Sequence, residues 1–237
     1  MDNNYIPLDS IQYLDNWYRF KQSTTSRTAI SEAISSLAEK CNSELILIGG
    51  QAAGQNYLGF RELRKPSTDV DCVMTLDNLE RLVRIYQKTN QVFWSAEYAM
   101  YVFDIQGVPF GVFAQTIHDW VIPDLFISTS TREKQNNTSL SLPSPEYASM
   151  LKMRRAHSKK RFFGKDRLDI VNMVLAPHFK KRPPFNTDAF LELLSEHVTP
   201  DRSAQKELLE QLPLATTNLT KQEKELFKEE YERLSGR

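Results

Sequence analysis

The fold is decided by two segments, ELILIGG at residues 44–50 and TDVDCVM at residues 68–74. Each is a short apolar run, which predicts a buried β-strand. The first run ends on Gly49-Gly50, where glycine permits a sharp turn into a following helix. The second run carries Asp69 and Asp71 at alternate positions, and alternate side chains share one face of a strand.

These residues favour phosphate chemistry. A glycine pair lets the backbone approach a ligand closely, and a helix that starts at Gly49-Gly50 presents its N–H groups to a phosphate. Asp69 and Asp71 can share a divalent cation, because Mg²⁺ prefers oxygen ligands and commonly binds one or two carboxylates together with substrate phosphates. The pattern predicts phosphoryl or nucleotidyl transfer with Mg²⁺, or Mn²⁺, as cofactor. Each motif alone has an ordinary alternative, a plain turn or a pair of solvated acids.

Outward from these segments, the apolar spacing predicts an α/β (α+β) fold with a small mixed sheet. Two helices are expected within residues 8–40, and an amphipathic helix over Leu76–Thr89. Ala99–Ile105 and Val108–Ala114 predict a hairpin that turns at Gln106-Gly107.

The domain prediction follows from composition. Residues 1–130 form the core with its N-terminal helices, and residues 131–145, rich in Ser, Thr, Asn and Pro, form an exposed connector. Residues 146–237 form a helical region. Its predicted helices are Pro145–His157, Lys165–Leu175, Thr187–His197, Ser203–Leu212 and Thr220–Leu234.

Charge is balanced over the chain but not along it. Thirty basic and thirty acidic residues make a polyanion binder driven by global charge an unfavoured class. Leu151–Arg182, however, holds eleven Lys/Arg and two Asp/Glu, a band that suits phosphate groups or simply a solvated helix face. Phe162, Phe163 and Phe179 interleave with it, which is compatible with RNA, although phenylalanine is more often a core residue.

Cys41 and Cys72 lack the spacing of a disulfide framework or zinc site. Met1 is followed by polar residues rather than a basic segment and an apolar run. No stretch approaches the roughly twenty apolar residues that a membrane helix needs. A soluble cytoplasmic protein without a membrane partner is expected.

The glycine pair and the acidic strand together resemble the signature of the nucleotidyltransferase superfamily, Gly-Gly followed after a spacer by Asp-x-Asp. The longer spacer here is similar to that of the AbiEii-type toxins of abortive-infection and toxin–antitoxin systems. That branch often shows Arg-x-Thr-x-Asp-x-Asp, and this chain has Lys65 and Ser67 in place of the Arg and Thr.

The resemblance extends to a helical Lys152, then Arg161, Lys165-Asp166 and Asp169. It implies a small mixed sheet flanked by helices, with a C-terminal helical extension. It also implies that a nucleoside triphosphate is bound by Gly49, Gly50, Lys65, Ser67, Lys152, Lys165 and Asp166. Physically, the lysines can meet phosphate oxygens while the acids orient them. A surface helix with its own ion pairs is the ordinary alternative.

The superfamily usually has a third carboxylate on a later strand, where it completes the metal site and can act as general base. The expected strand, Val108–Ala114, contains no acid. Asp104 on the preceding strand is the nearest substitute and the third catalytic candidate, with Asp119 and Asp124 further along. An exposed hairpin residue is an equally good interpretation of Asp104.

The leading hypothesis is a metal-dependent enzyme that transfers a nucleoside monophosphate from a triphosphate to an acceptor hydroxyl. By the resemblance, the acceptor is an RNA end, especially transfer RNA, or a protein. The protein is then a toxin or phage-defence component, and a cognate antitoxin-like protein is a candidate partner. The alternatives are a degenerate domain that binds nucleotide or a protein partner without catalysis, and a purely structural helical protein.

Overall fold

The computed structural model describes residues 11–13, 27–41, 45–50, 52, 68–95, 100–114, 131–135, 138–179, 183–217 and 219–236. Eight strands lie within these ranges. They are β1 (Gln12–Tyr13), β2 (Ile46–Ile48), β3 (Val70–Met74), β4 (Val92–Ser95), β5 (Met100–Ile105), β6 (Val108–Ala114), β7 (Thr131–Gln135) and β8 (Thr138–Leu142).

The helices of the same ranges fall into two groups. Two accompany the strands, namely α1 (Arg27–Lys40) and α2 (Leu76–Gln87). The others follow the last strand, namely α3 (Pro145–Ser158), α4 (Gly164–Phe179), α5 (Thr187–His197), α6 (Arg202–Leu209) and α7 (Lys221–Ser235), with a 3₁₀ turn at Leu212–Ala215. Within this part of the chain, no helix combines the length and the apolar character required to cross a membrane.

All eight strands belong to one mixed sheet in the order β1-β4-β5-β6-β3-β2-β8-β7. Strands β3 and β6 run parallel, whereas β2 is antiparallel to β3 and β5 is antiparallel to β6. The sheet therefore brings β2, β3 and β6 side by side, although they are far apart in sequence. The predicted small mixed sheet flanked by helices is confirmed.

Helices α1 and α2 cover one face of this sheet. The Tyr86 ring of α2 packs edge-on against Phe103 of β5, with 5.5 Å between ring centroids, and Lys40 of α1 donates a hydrogen bond of 2.7 Å to the Tyr86 hydroxyl. The Thr75 side chain caps α2 by accepting from the backbone N–H of Asn78. Since Phe103 pairs with Phe110 on β6, the alternate position Gly111 belongs to the opposite face.

The chain divides into two compact units. The first consists of Met1–Gln51 and Ser67–Pro143 and contains the sheet; the second consists of Ala52–Pro66 and Ser144–Arg237 and contains α3 to α7. In the second unit Ser144 caps α3 through the Tyr147 N–H at 3.1 Å, and α7 begins with a reciprocal capping box between Thr220 and Glu223. These caps satisfy N–H groups that a helix N-terminus leaves without partners.

Most predicted elements agree with the structure to within a few residues. The hairpin of β5 and β6 turns at Gln106-Gly107 as expected, and each of the five predicted C-terminal helices is present. Periodic apolar residues determine both features, because their burial holds the elements in place. The helix expected directly after Gly49-Gly50 is represented by helical Gly50 and Ala52.

Three predictions differ from the structure. The expected connector at residues 131–145 instead contains the hairpin of β7 and β8, and β8 pairs with β2 through Ile46 and Ser141. Strand β4 follows α2 where no strand was predicted, and the short strand β1 lies where a helix was expected. In each case pairing with the sheet overrides a weak or polar local pattern.

We expect both thiols to be unreactive in the folded protein. Cys41 directly follows α1 and Cys72 lies in β3, and each is 0% exposed. Burial raises the pKa of the Cys72 thiol well above its usual range, and the nearby Cys41 and Asp71 raise it further, so little reactive thiolate forms at neutral pH. A colorimetric thiol titration should detect essentially none in buffer and two after denaturation. Rapid labelling of the native protein would contradict this core.

Candidate active site

The Asp71 side chain lies where three strands meet. Asp71 pairs with Ile48 at the end of β2 and with Gly111 in the middle of β6. Paired residues on neighbouring strands project to the same face of a sheet. The carboxylate thus lies on the face opposite to Phe103 and α2. Asp71 is half-buried, so part of it remains accessible to a ligand.

The Asp71 carboxylate lies between two glycines, Gly49 and Gly111, and we call this space the Asp71 seat. Gly49 forms one side of it. It follows β2 directly and has a φ of 63°, in the left-handed region that favours glycine. A β-carbon built on Gly49 would lie 2.6 Å from Asp71 Oδ2, which is closer than atoms of this kind can approach. Both the backbone conformation and the space occupied by Asp71 therefore require glycine here.

Gly111 forms the other side of the seat. A β-carbon at this position would lie 2.9 Å from Asp71 Oδ1 and 3.0 Å from the Met100 sulfur. Gly111 is not among the site residues predicted from the sequence. A signal was present, however, because a glycine inside the run Val108–Ala114 often marks a close approach of another group to the backbone.

Asp69 lies near Asp71 along the chain but outside the strand. It occupies a bend immediately before β3 begins at Val70, and it is 8% exposed. The structure therefore places both predicted acids at one end of β3, with Gly49 and Gly50 at the adjacent end of β2. Lys65 and Ser67, the other residues predicted around this motif, lie outside the described residues.

The donors fit a hard divalent cation in kind, because carboxylate oxygens are the ligands that Mg²⁺ and Mn²⁺ accept. Asp69 and Asp71 would provide only two protein side chains as ligands. Among the described residues, no group of three or more His, Cys, Asp and Glu side chains is arranged to hold a metal ion. Mg²⁺ commonly binds through one or two carboxylates and completes its shell with water and substrate phosphates, so a two-acid arrangement suits it.

Asp104 shares the face of Asp71 but not its position. It pairs with Pro109 near the end of the β5–β6 hairpin, and its Oδ1 accepts a hydrogen bond of 2.8 Å from the Gly107 N–H. Two strand spacings of about 4.8 Å each separate β5 from β3. The Asp104 and Asp71 carboxylates are therefore too far apart to bind one cation together. Asp119 and Asp124 lie outside the described residues.

The second unit contains a buried ion cluster built from α3 and α4. Lys152 Nζ lies 2.8 Å from Asp169 Oδ2 and 3.2 Å from Asp166 Oδ1. The lysine side chain is 9% exposed and each carboxylate 4%. Arg155 approaches the second oxygen of Asp166 at 3.6 Å. Lys152 and Asp166, which were predicted to bind nucleotide, thus contact each other.

Beside this cluster lies the basic segment, residues 157–165, which joins α3 to α4. It contains three lysines and one arginine but no acid, and Lys159, Lys160, Arg161 and Lys165 are exposed. The guanidinium groups of Arg155 and Arg161 both lie over the Phe163 ring, at 4.8 and 5.0 Å from its centroid. The aromatic ring holds two cationic groups close together in a partly solvated place.

No protein-family profile matches the sequence, and no curated protein matches it. Eight solved chains match its structure. One is ANT(2″)-Ia in complex with adenylyl-2″-tobramycin, which is 15% identical with a TM-score of 0.51 over 71% of this chain and 95% of that chain. Another is an antigenic nucleotidyltransferase-like protein from Paracoccidioides brasiliensis, 20% identical with a TM-score of 0.49 over 78% of this chain and 94% of that chain. The likeness to ANT(2″)-Ia shows that the chain has a nucleotidyltransferase fold.

Proposed function

We propose that the protein is a metal-dependent nucleotidyltransferase that transfers a nucleoside monophosphate from a nucleoside triphosphate to an acceptor hydroxyl. The observation that carries this proposal is the close approach of the Asp71 carboxylate to Gly49, where a β-carbon would lie 2.6 Å from Asp71 Oδ2. It joins the two halves of the sequence signature, acidic strand and glycine turn, in one place on a sheet of the matching fold.

Each residue of this site has a defined task in the proposal. Asp69 and Asp71 hold Mg²⁺ or Mn²⁺, and Gly49 and Gly50 let the backbone approach the phosphates without an intervening side chain. A bound metal supplies charge neutralisation and orients the attacking and leaving oxygens. Lys65 and Ser67 are proposed to contact the triphosphate from the segment that precedes Asp69.

The second unit contains the two helical lysines proposed for phosphate binding, Lys152 and Lys165, and we propose different roles for them. Lys165 is exposed at the start of α4, so its ammonium group is open to an anionic ligand. Lys152 has two carboxylate partners and little exposure. We assign it the positioning of Asp166, Arg155 and the basic segment, because its ammonium group already has charged acceptors on α4.

An RNA end is the acceptor that the charges favour. Single-stranded nucleic acid is bound through cations along its phosphates, and the basic segment presents four exposed cations with no acid among its nine residues. A protein hydroxyl is the second candidate acceptor. The resemblance to AbiEii-type toxins motivates a role in defence or toxicity, with an antitoxin-like partner.

A specific observation also favours a second candidate function, nucleotide binding without turnover. The residue opposite Asp71 on β6 is Gly111, so the strand expected to carry the third carboxylate presents none at that position. Asp104 lies on this face away from Asp71, so as the proposed general base it would have to act on the acceptor hydroxyl and not as a metal ligand. Without a base the domain would bind triphosphate and release it unchanged.

The first prediction concerns Asp71. Asp71→Asn keeps the side-chain shape but removes a metal-binding charge, so we expect transfer from labelled triphosphate to total RNA to fall by on the order of 100-fold or more. Asp77→Asn, an exposed acid on α2 of the same unit, is the matched control and should keep full activity. Equal activity of the two variants would contradict the site.

Asp104→Asn separates the two interpretations of Asp104. Asparagine keeps the oxygen that accepts from Gly107 but cannot act as a base. Slower transfer with an unchanged melting temperature supports the base, whereas full transfer assigns Asp104 to the turn alone. Metal-dependent triphosphate binding without incorporation by the wild-type protein would support the non-catalytic alternative.

The second prediction concerns the buried ion cluster. Lys152→Met removes the buried ammonium group between Asp166 and Asp169 while Arg155 stays near Asp166, so it should lower the free energy of unfolding by about 3–5 kcal/mol. Lys165→Met removes an exposed charge and should change it by no more than about 0.5 kcal/mol. Urea unfolding of the three proteins measures both effects. If Lys152→Met is as stable as the wild type, the cluster does not have the structural task assigned to it.

The third prediction concerns RNA. We expect the double change Lys159→Gln/Lys160→Gln to weaken binding of a labelled single-stranded RNA and to flatten its salt dependence by roughly 0.7 per lost phosphate contact. The control, Lys221→Gln/Lys224→Gln, removes two exposed lysines from α7. Fluorescence anisotropy across a range of salt concentrations gives the slopes. Identical slopes for the two double variants would exclude the basic segment as the RNA-binding surface.

A further inference from the structure

The seat of Asp71 assigns a role to a residue outside the predicted signature. We infer that Gly111 is a positioning residue, which keeps the Asp71 carboxylate in place by lacking a side chain. This inference rests on the proposed function in so far as Asp71 binds metal. The contact itself is independent of that function and can be tested separately.

The geometry shows how tight the seat is. Asp71 and Gly111 are register partners on the parallel strands β3 and β6, so their side-chain positions face the same way and lie next to each other. Asp71 Oδ1 lies 2.9 Å from the place where a β-carbon of residue 111 would be. On the far side the Met100 sulfur lies 3.0 Å from the same place. An added methyl group therefore has an atom against it on two sides.

The same geometry explains why β6 lacks the expected acid at this register. A carboxylate at position 111 would need the space that Asp71 already fills, and the two negative charges would meet at short range. In this chain the Asp71 carboxylate lies close to the backbone of β6 at Gly111, where a neighbouring carboxylate was expected. The Asp71 Oδ1 atom lies 2.9 Å from the point where a side chain at position 111 would begin.

Gly111 is a cleaner probe of this seat than Gly49. Gly49 has a φ of 63°, so a side chain there strains the backbone whatever the space around it. Gly111 pairs regularly on both sides, with Asp71 on β3 and Val102 on β5, and strand backbone accepts alanine. The effect of Gly111→Ala therefore comes from what its methyl group touches.

The first experiment measures metal affinity rather than turnover. Binding of Mn²⁺ is followed by electron paramagnetic resonance in the presence of a nonhydrolysable triphosphate. Gly111→Ala should weaken Mn²⁺ by on the order of 10- to 100-fold, as displacement of a supporting group does at metal sites. The control Gly236→Ala, at the end of α7, adds a methyl group that has nothing within 4 Å, and this variant should bind Mn²⁺ as the wild type does. A folded Gly111→Ala protein with wild-type Mn²⁺ affinity would overturn the inference.

A double-mutant cycle covers the case in which Gly111→Ala is poorly stable. The single change should lower the melting temperature by about 2 to 10 °C. In an Asp71→Ala background the carboxylate is gone, so adding Gly111→Ala should cost less than about half as much. An equal loss in both backgrounds would show that Asp71 is not what the methyl group meets. If the wild-type protein binds no Mn²⁺ but the cycle shows coupling between positions 71 and 111, the proposed function is wrong, whereas the positioning of Asp71 by Gly111 is supported.

Discussion

The first unit depends on a constraint of space, the two glycine backbones that enclose one carboxylate. Asp71 Oδ2 lies beside Gly49 and Asp71 Oδ1 beside Gly111, and these glycines come from segments about sixty residues apart. The seat exists only because β2, β3 and β6 are neighbours in the sheet. An acid in a strand is a local feature of the sequence, and it becomes part of a site only through long-range strand pairing.

Charge organises the second unit in a comparable way. Two carboxylates of α4 enclose the Lys152 ammonium of α3, and a buried charge without partners would be strongly unfavourable. The cluster determines how α3 approaches α4 and consequently how the basic segment between them is presented. Arg155 links the two features, because it contacts both Asp166 and the Phe163 ring.

The sequence predicts those parts whose pattern is local. Alternating or periodic apolar residues identify β3, the hairpin of β5 and β6 and the C-terminal helices, and the alternation of Asp69 and Asp71 identifies the acidic end of β3. The hairpin of β7 and β8 escapes prediction because β7 is wholly polar and β8 has two leucines among five residues. Strand β7 lies at an edge of the sheet, where charged and polar side chains are tolerated. Strand β4 consists of Val-Phe-Trp-Ser, and its buried positions do not alternate, so the pattern that identifies a strand is absent.

The role of Gly111 escapes prediction for a different reason. Its neighbour Asp71 is forty residues away, and only the register of β3 against β6 makes them partners. An acid on β6 would be recognised in the sequence by its side chain, whereas Gly111 matters because it has no side chain. The register of β3 against β6 links the missing acid to the two-carboxylate site. Because Gly111 has no side chain, the Asp71 oxygen occupies the space beside the backbone of β6.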